Sequence, residues 1–353
     1  VIAPFSYNGT PVRVVFGSES IGALRAEATA MGLQRVLVLS TPHQTDLAER
    51  ARAILGYLAV GIFSGARMHT PVSVTSEAEA MARKLEIDGV VSVGGGSTIG
   101  LGKALVARMD IGHVAVPTTY AGSEMTPILG ETSDGAKVTV RDEKLRPQTV
   151  IYDVDLTLGL PVPMSITSGI NAAAHAVEAL YAKDRNPLTS LMAVETLKSM
   201  ANALPGIVLD PTDRQARSQA LYGAWLAGTC LGSVSMSFHH KLCHTLGGAF
   251  DLPHAETHTI ILPHAVKFIA PAEPDAMRQI ETALGCTDAA RGLFDLIGSV
   301  GGPRSLRELG LREDQLDLAT DQALENPYWT PVPLERDSIR SLLGRAFRGE
   351  APA

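Results

Sequence analysis

The chain has 353 residues, 45% of them apolar and 19% charged, with a formal net charge of −7. That length and balance describe a globular protein of two domains and argue against nucleic acid as the main partner, because phosphate backbones require clustered Lys and Arg. Three cysteines (Cys230, Cys243, Cys286) cannot build a disulfide framework and match a reducing cytosol, and the amino-terminal residues show no basic segment followed by an apolar run, so no secretory signal is expected.

The first half alternates strand-like and helix-like runs. Residues 35–40 (RVLVLS) read as a buried strand and 45–55 as a helix. Thr70 and Pro71 predict an N-cap followed by proline at the first helical position, with the helix running to about Glu86. Asp88-Gly89 turns the chain into a β-branched strand at 90–93. Helical pattern resumes from about Thr98 to Arg108, and 113–116 is the next strand. Such alternation with short connections implies a parallel sheet covered on both faces. Between 153 and 163 the character changes. Prolines and glycines then separate helical patterns at 164–182, 187–208, 213–231 and 235–246, with almost no strand signal. The expected organisation is an α/β amino-terminal domain over 1–158 and an all-α carboxyl-terminal domain over 159–353, with a ligand cleft at their boundary. The uncharged run 218–238 is about as long as a membrane span. Its Gly, Ser and Thr content reads instead as a buried helix pair, so no membrane partner is expected.

Chemistry concentrates in four motifs. Gly94-Gly95-Gly96-Ser97 follows a buried strand and opens a helix, the context of a phosphate cradle: glycines admit the backbone closely, and the helix start offers free N–H groups. It lacks the common GxGxxG spacing, so a standard Rossmann assignment does not apply. The turn 117–124 (PTTYAGSE) also follows a buried strand. By itself it is equally a ligand loop or a simple turn. His240 and His244 stand four apart, His254 follows at a Pro-His helix start, and Asn171 and His175 are again four apart. Residues at i and i+4 share a helix face, so these side chains can meet for metal binding or acid/base work. Asn171 is the awkward member, because an amide brings no charge to offset a dication. His43, His69 and His113 have no such company and read as structural. Cys243, between His240 and His244, has no activating partner in sequence; it is expected near the cleft, where thiol reagents would block the site sterically.

Together GGGSTIGLGK at 94–103, PTTYAGSE at 117–124, NAAAH at 171–175 and HHKLCHTLGGAFDLPH at 239–254 resemble, in order and over nearly the full length, the iron-containing (group III) alcohol dehydrogenase superfamily. Within it the chain is most similar to the maleylacetate reductase branch. Metal-dependent members carry Asp where this chain has Gly100 and Asn171, and the run Asn326-Pro327-Tyr328-Trp329 also looks like the reductase branch. The resemblance implies an amino-terminal dinucleotide-binding domain and a helical second domain, the architecture shared with dehydroquinate synthase. It further implies a cytoplasmic homodimer that reduces the dianion maleylacetate to 3-oxoadipate with NADH or NADPH. Carried over by position, Gly95, Gly96 and Ser97 would hold the pyrophosphate, and Thr118, Thr119 and Ser123 would line the cofactor. Asn171, His175, His240 and His254 fall on the superfamily's metal shell, and His244 on the extra histidine near the nicotinamide. The exchange of Asp for Asn leads to the expectation that no metal is required.

Hydride added β to the ketone of maleylacetate leaves an enolate oxygen to stabilise and a carbon to protonate. His240 or His175 is expected at the oxygen and His244 as proton donor. Lys241 projects about 100° away from His240 on a helix. The strand at 35–39 is followed by Ser40 and Thr41 with no carboxylate until Asp46, so these two are expected to meet the adenosine ribose without repelling a 2′-phosphate. Rival readings are a metal-dependent alcohol dehydrogenase, a dehydroquinate synthase-like cyclase or lyase that consumes no net NADH, and a non-catalytic dinucleotide sensor, which would not need the histidines.

Overall fold

A computed structural model describes residues 5, 7, 9, 11–133 and 136–353. They form two compact units. One is Gly9–Leu160; the other holds Pro161–Ala353 and takes in the described residues of the amino-terminal segment.

In the first unit the elements run β1 Arg13–Gly17, α1 Leu24–Ala30, β2 Val36–Leu39, α2 Thr45–Leu55, β3 Ala59–Phe63, α3 Val72–Lys84, β4 Gly89–Gly94, α4 Gly96–Arg108, β5 Gly112–Pro117, β6 Ile128–Ser133, β7 Ala136–Arg141 and β8 Thr149–Asp153. Six strands form a parallel sheet in the order β1-β8-β5-β4-β2-β3. Every residue of β2, β4 and β8 is buried, as in a parallel sheet covered on both faces. One face carries Leu24, Ala28, Ala48, Ala51 and Leu55 from α1 and α2. The other carries Val74, Ala78, Ala82, Leu101 and Leu105 from α3 and α4. Each buried Leu or Val stabilises the three layers by roughly 1.5–3 kcal/mol.

From β2 the chain steps outward to β3, then returns to β4 on the other side of β2. The order therefore reverses between β2 and β4, where ligands of open parallel sheets bind at the strands' carboxyl ends. The loops after β2, β4 and β5 are those carrying Thr41, Gly95 and Thr118.

The sequence pattern marked β2, β4 and β5 and left β1, β3 and β8 unread, and two further features depart from expectation. Thr70 does not cap α3. The N-cap is Pro71 without a side-chain bond, and His69 and Thr70 have φ of 63° and 45°. The Thr70 carbonyl accepts from Thr132 N at 3.3 Å, so a long-range pairing, beyond reach of local propensity, takes this segment. The antiparallel hairpin β6–β7 is likewise absent from the sequence reading.

The second unit is helical among its described residues: α5 Val162–Tyr181, α6 Pro187–Leu209, α7 Arg214–Ser233, α8 Phe238–Phe250, α9 His254–Ile269, α10 Pro274–Leu284, α11 Ala289–Ser299, α12 Leu316–Leu324 and α13 Arg336–Arg348. Local chemistry starts these helices well. Asn186 caps α6 through Leu188 N and Thr189 N, with Thr189 reciprocating, and Asp213 caps α7. α5 is buried along nearly its whole length and packs against α6, α7 and α9. The uncharged run 218–238 divides between α7 and the start of α8. Among the described residues no helix is long and apolar enough to cross a membrane.

Candidate active site

Three helices of the second unit build a cluster of six imidazoles. α5 supplies Asn171, His175 and Glu178 at i, i+4 and i+7, one face of the helix. α8 supplies His239, His240 and His244, and α9 supplies His254 and His258. Ring centroids of His175 and His240 lie 5.2 Å apart, His240 and His258 4.8 Å, and His254 and His258 4.2 Å. His244 lies 5.9 Å from His240 and 6.2 Å from His254. All four histidines expected from the sequence thus enter one cluster.

Glu178 organises it. Its carboxylate, wholly buried, accepts from His240 Nδ1 at 2.7 Å. It also accepts from Ser237 N at 2.8 Å, His239 N at 2.8 Å and His240 N at 3.4 Å, and from Tyr181 Oη at 3.1 Å. One side chain of α5 therefore does two things. It caps the start of α8, whose own N-cap Ser237 instead donates its hydroxyl to Trp329 O at 2.7 Å. It also fixes the His240 ring with Nδ1 as donor, leaving Nε2 to face the cluster. Burial pushes the Glu178 pKa up, but His240, His239 and the Ser237 backbone outweigh it and hold the group at about 2.

The cluster has a dry side and a wet side. Burial, reinforced by neighbouring imidazoles, lowers the pKa of His175 and His258 well below the ordinary value and that of His239 to about 4. Asn171 Oδ1, His175 Nδ1, His240 Nε2 and both ring nitrogens of His258 are buried with no protein partner. Leaving such groups unmatched is costly, so their convergence marks a site for a polar ligand. His244 and His254 are exposed, and His244 Nδ1 lies 3.0 Å from Tyr328 Oη.

In the first unit, Gly95 and Gly96 open α4. A Cβ on Gly95 would meet Thr119 at 3.0 Å, and one on Gly96 would come 3.9 Å from Ser123 Oγ. Gln44 Nε2 donates to Thr118 Oγ1 at 3.0 Å, while Thr41 Oγ1 donates to Gln44 Oε1 at 3.2 Å. Thr98 Oγ1 and Ser123 Oγ are buried without a partner. The expected set of Thr41, Gly95, Gly96, Ser97, Thr118, Thr119 and Ser123 thus surrounds one helix start. Ser40 is set apart: it is fully buried and its hydroxyl donates to Ser64 Oγ at 3.0 Å.

Models of the iron-containing alcohol dehydrogenases match residues 11–154, and of the carboxyl-terminal part of the Fe-containing alcohol dehydrogenase family residues 165–347. The chain belongs to the iron-containing alcohol dehydrogenase family. It is an oxidoreductase of that family. It is 54% identical to the maleylacetate reductase of Rhizobium sp. (strain MTP-10005) and 51% identical to that of Sphingobium indicum, with 99% of each chain covered in both cases. The crystal structure of maleylacetate reductase from Agrobacterium tumefaciens superposes with a TM-score of 0.97 at 53% identity, covering 99% of this chain and all of that one.

The iron-containing family implies a divalent ion, and the residues at the family's positions offer it an uncharged set. Asn171, His175, His240 and His254 offer three imidazoles and an amide, with no anion. The nearby carboxylate, Glu178, is engaged by α8 and Tyr181. Among the described residues the compact nitrogen set is His239, His240 and His258, within 4.8 Å of one another; it shares only His240 with those positions.

Sequence reasoning passed over five residues. Glu178 lies three after His175, and His258 four after His254, both legible as extensions of a helix face. Tyr328 stood in a quoted run without a role. His239 adjoins His240 and bonds His258 O through Nε2 at 3.1 Å. Gln44 carried no signal. Cys243 needs correction: it is 2% exposed, and burial followed by Glu178 pushes its thiol well up. A thiol reagent therefore finds neither access nor a thiolate, although His239 Nε2 lies 3.6 Å away.

Proposed function

We propose that the chain reduces the carbon–carbon double bond of maleylacetate with NADH or NADPH, giving 3-oxoadipate in the degradation of aromatic compounds. The observation that carries this is the imidazole cluster built on the Glu178–His240 pair, with an amide rather than a carboxylate at position 171. The close relatives named maleylacetate reductase supply the substrate class.

The first unit holds the cofactor's phosphates at the start of α4, where free N–H groups and the Ser97 and Ser123 hydroxyls gather an anion. Hydride adds to the carbon β to the ketone, and charge develops on the ketone oxygen. His240, held at Nδ1 by the Glu178 carboxylate, turns Nε2 toward that oxygen, and His175 assists as a neutral donor. His244 delivers the proton to the adjacent carbon; its exposure and its contact with the Tyr328 hydroxyl suit exchange with solvent. No step needs a Lewis acid, and we take a metal not to be required. The enzyme acts in the cytoplasm as a homodimer.

Both cofactors serve, within about tenfold in specificity or roughly 1.4 kcal/mol. No carboxylate follows β2 before Asp46, so a 2′-phosphate meets no fixed anion, and Thr41→Asp should penalise NADPH selectively. The deciding experiment follows NADH absorbance with maleylacetate and with simple aldehydes, before and after exhaustive chelation. Turnover of maleylacetate that survives chelation is expected. Turnover of aldehydes alone, or a stoichiometric metal whose removal abolishes activity and whose return restores it, overturns the reading.

A further inference from the structure

Lys103 lies in the third turn of α4 and is 1% exposed. Its ammonium donates to Ser123 O at 2.6 Å, Thr126 Oγ1 at 2.8 Å and Ile128 O at 3.0 Å, which uses all three of its protons. Thr126 Oγ1 also donates to Ser123 O at 3.0 Å. Beside it Glu124, 1% exposed, accepts from Tyr152 Oη at 2.9 Å. Burial draws the Lys103 pKa down to about 7 while Glu124 opposes the shift.

A buried ammonium carries a large desolvation penalty, and an apolar side chain would fill the same space without it. What an apolar side chain cannot do is hold carbonyl oxygens. Lys103 grips those of residues 123 and 128, the two ends of the segment leading into β6. Ser123 is the consequential end. Its hydroxyl is buried with no protein partner and stands beside Gly96 at the helix start.

We infer that Lys103 is a positioning residue for the dinucleotide: it sets Ser123 so that its hydroxyl meets the pyrophosphate, without touching the cofactor itself. The inference rests on the cofactor reading proposed above. A double-mutant cycle tests it, with NADH affinity measured by fluorescence titration and thermal melts to establish folding. Lys103→Met and Ser123→Ala should each weaken NADH binding about tenfold, the scale of one lost hydrogen bond to a charged group. The double variant should bind no more than about twofold worse than Lys103→Met, because residues acting as a unit are not additive. For Lys103→Met at saturating NADH, kcat and the KM for maleylacetate should stay within about threefold. If Lys103→Met does not fold, Thr126→Val, which removes one of the lysine's acceptors, takes its place in the cycle. Additive losses, or unchanged NADH affinity in a folded Lys103 or Thr126 variant that accompanies a weakened Ser123→Ala, overturn the inference while the cofactor site stands. If Ser123→Ala and Gly96→Val both bind NADH like the parent, the cofactor reading itself falls, and the inference with it.

Discussion

Two residues make the local chemistry testable. Glu178 holds His240 by charge as well as by shape, so Glu178→Gln should keep the fold and lower kcat about 10–100-fold, the scale of losing an orienting carboxylate. Unchanged kcat in steady-state assays would remove the catalytic role of the Glu178–His240 pair. Because the Glu178 pKa is lowered to about 2 from an ordinary 4.5, its contribution to stability is complete above about pH 4.5 and is lost as pH falls toward 2. Gly96 is the cleaner probe of the glycine turn. A side chain on Gly95 presses on Thr119 at 3.0 Å, whereas one on Gly96 meets only Ser123 Oγ at 3.9 Å. Gly96→Val should therefore melt like the parent and lose NADH binding, since its branches occupy the approach to the helix start. Retained NADH affinity in a titration contradicts the phosphate cradle.

At the scale of elements, α8 depends on α5 for its beginning. Its first N–H groups are satisfied by Glu178, not by its own N-cap residue. Glu178→Ala should consequently destabilise the protein by about 1–3 kcal/mol, the range for leaving buried donors unmatched, and Glu178→Gln by less; denaturant melts compare the two. α5 also carries the position that separates this chain from metal-dependent relatives. Asn171→Asp places an anion one helical turn from His175 and beside the unpartnered nitrogens of the cluster, so cobalt(II) titration should show tighter binding than the parent. No gain would mean that positions 171, 175, 240 and 254 do not share a shell. The spacing within α5, α8 and α9 was legible because helical periodicity is local. The reach of Glu178 from one helix to the start of another was not, because no property of VEALY reveals which backbone lies opposite.

Across the whole molecule, histidines buried in the neutral form make an acid-sensitive fold. Burial lowers His113 to about 3, and His239 and His264 to about 4, and it lowers His175 and His258 well below the ordinary 6.5. Between those values and pH 6.5 the unfolded chain binds protons that the folded chain refuses. Stability should therefore fall as pH drops below about 6.5, each group adding up to about 1.4 kcal/mol per pH unit until its folded pKa is reached. Thermal melts from pH 7.5 to 4.5 check this, and a flat profile would mean that these rings are hydrated or protonated in the fold. The same burial divides what was readable from what was not. Unbroken β-branched runs and 3.6-residue periodicity identified β2, β4 and β5 of the α/β unit and the helices after it, and three glycines marked the strand-to-helix junction where the phosphate cradle is proposed. These signals depend on near neighbours in the chain, so the sequence by itself determined them. The left-handed turn at Thr70, the β6–β7 hairpin, the burial of Cys243, the Glu178 cap and the pairing of Tyr328 with His244 were decided only by tertiary structure. Each depends on which distant backbone or side chain supplies the missing hydrogen bond or excludes water, and pairing across scores of residues is a property of packing, not of local pattern.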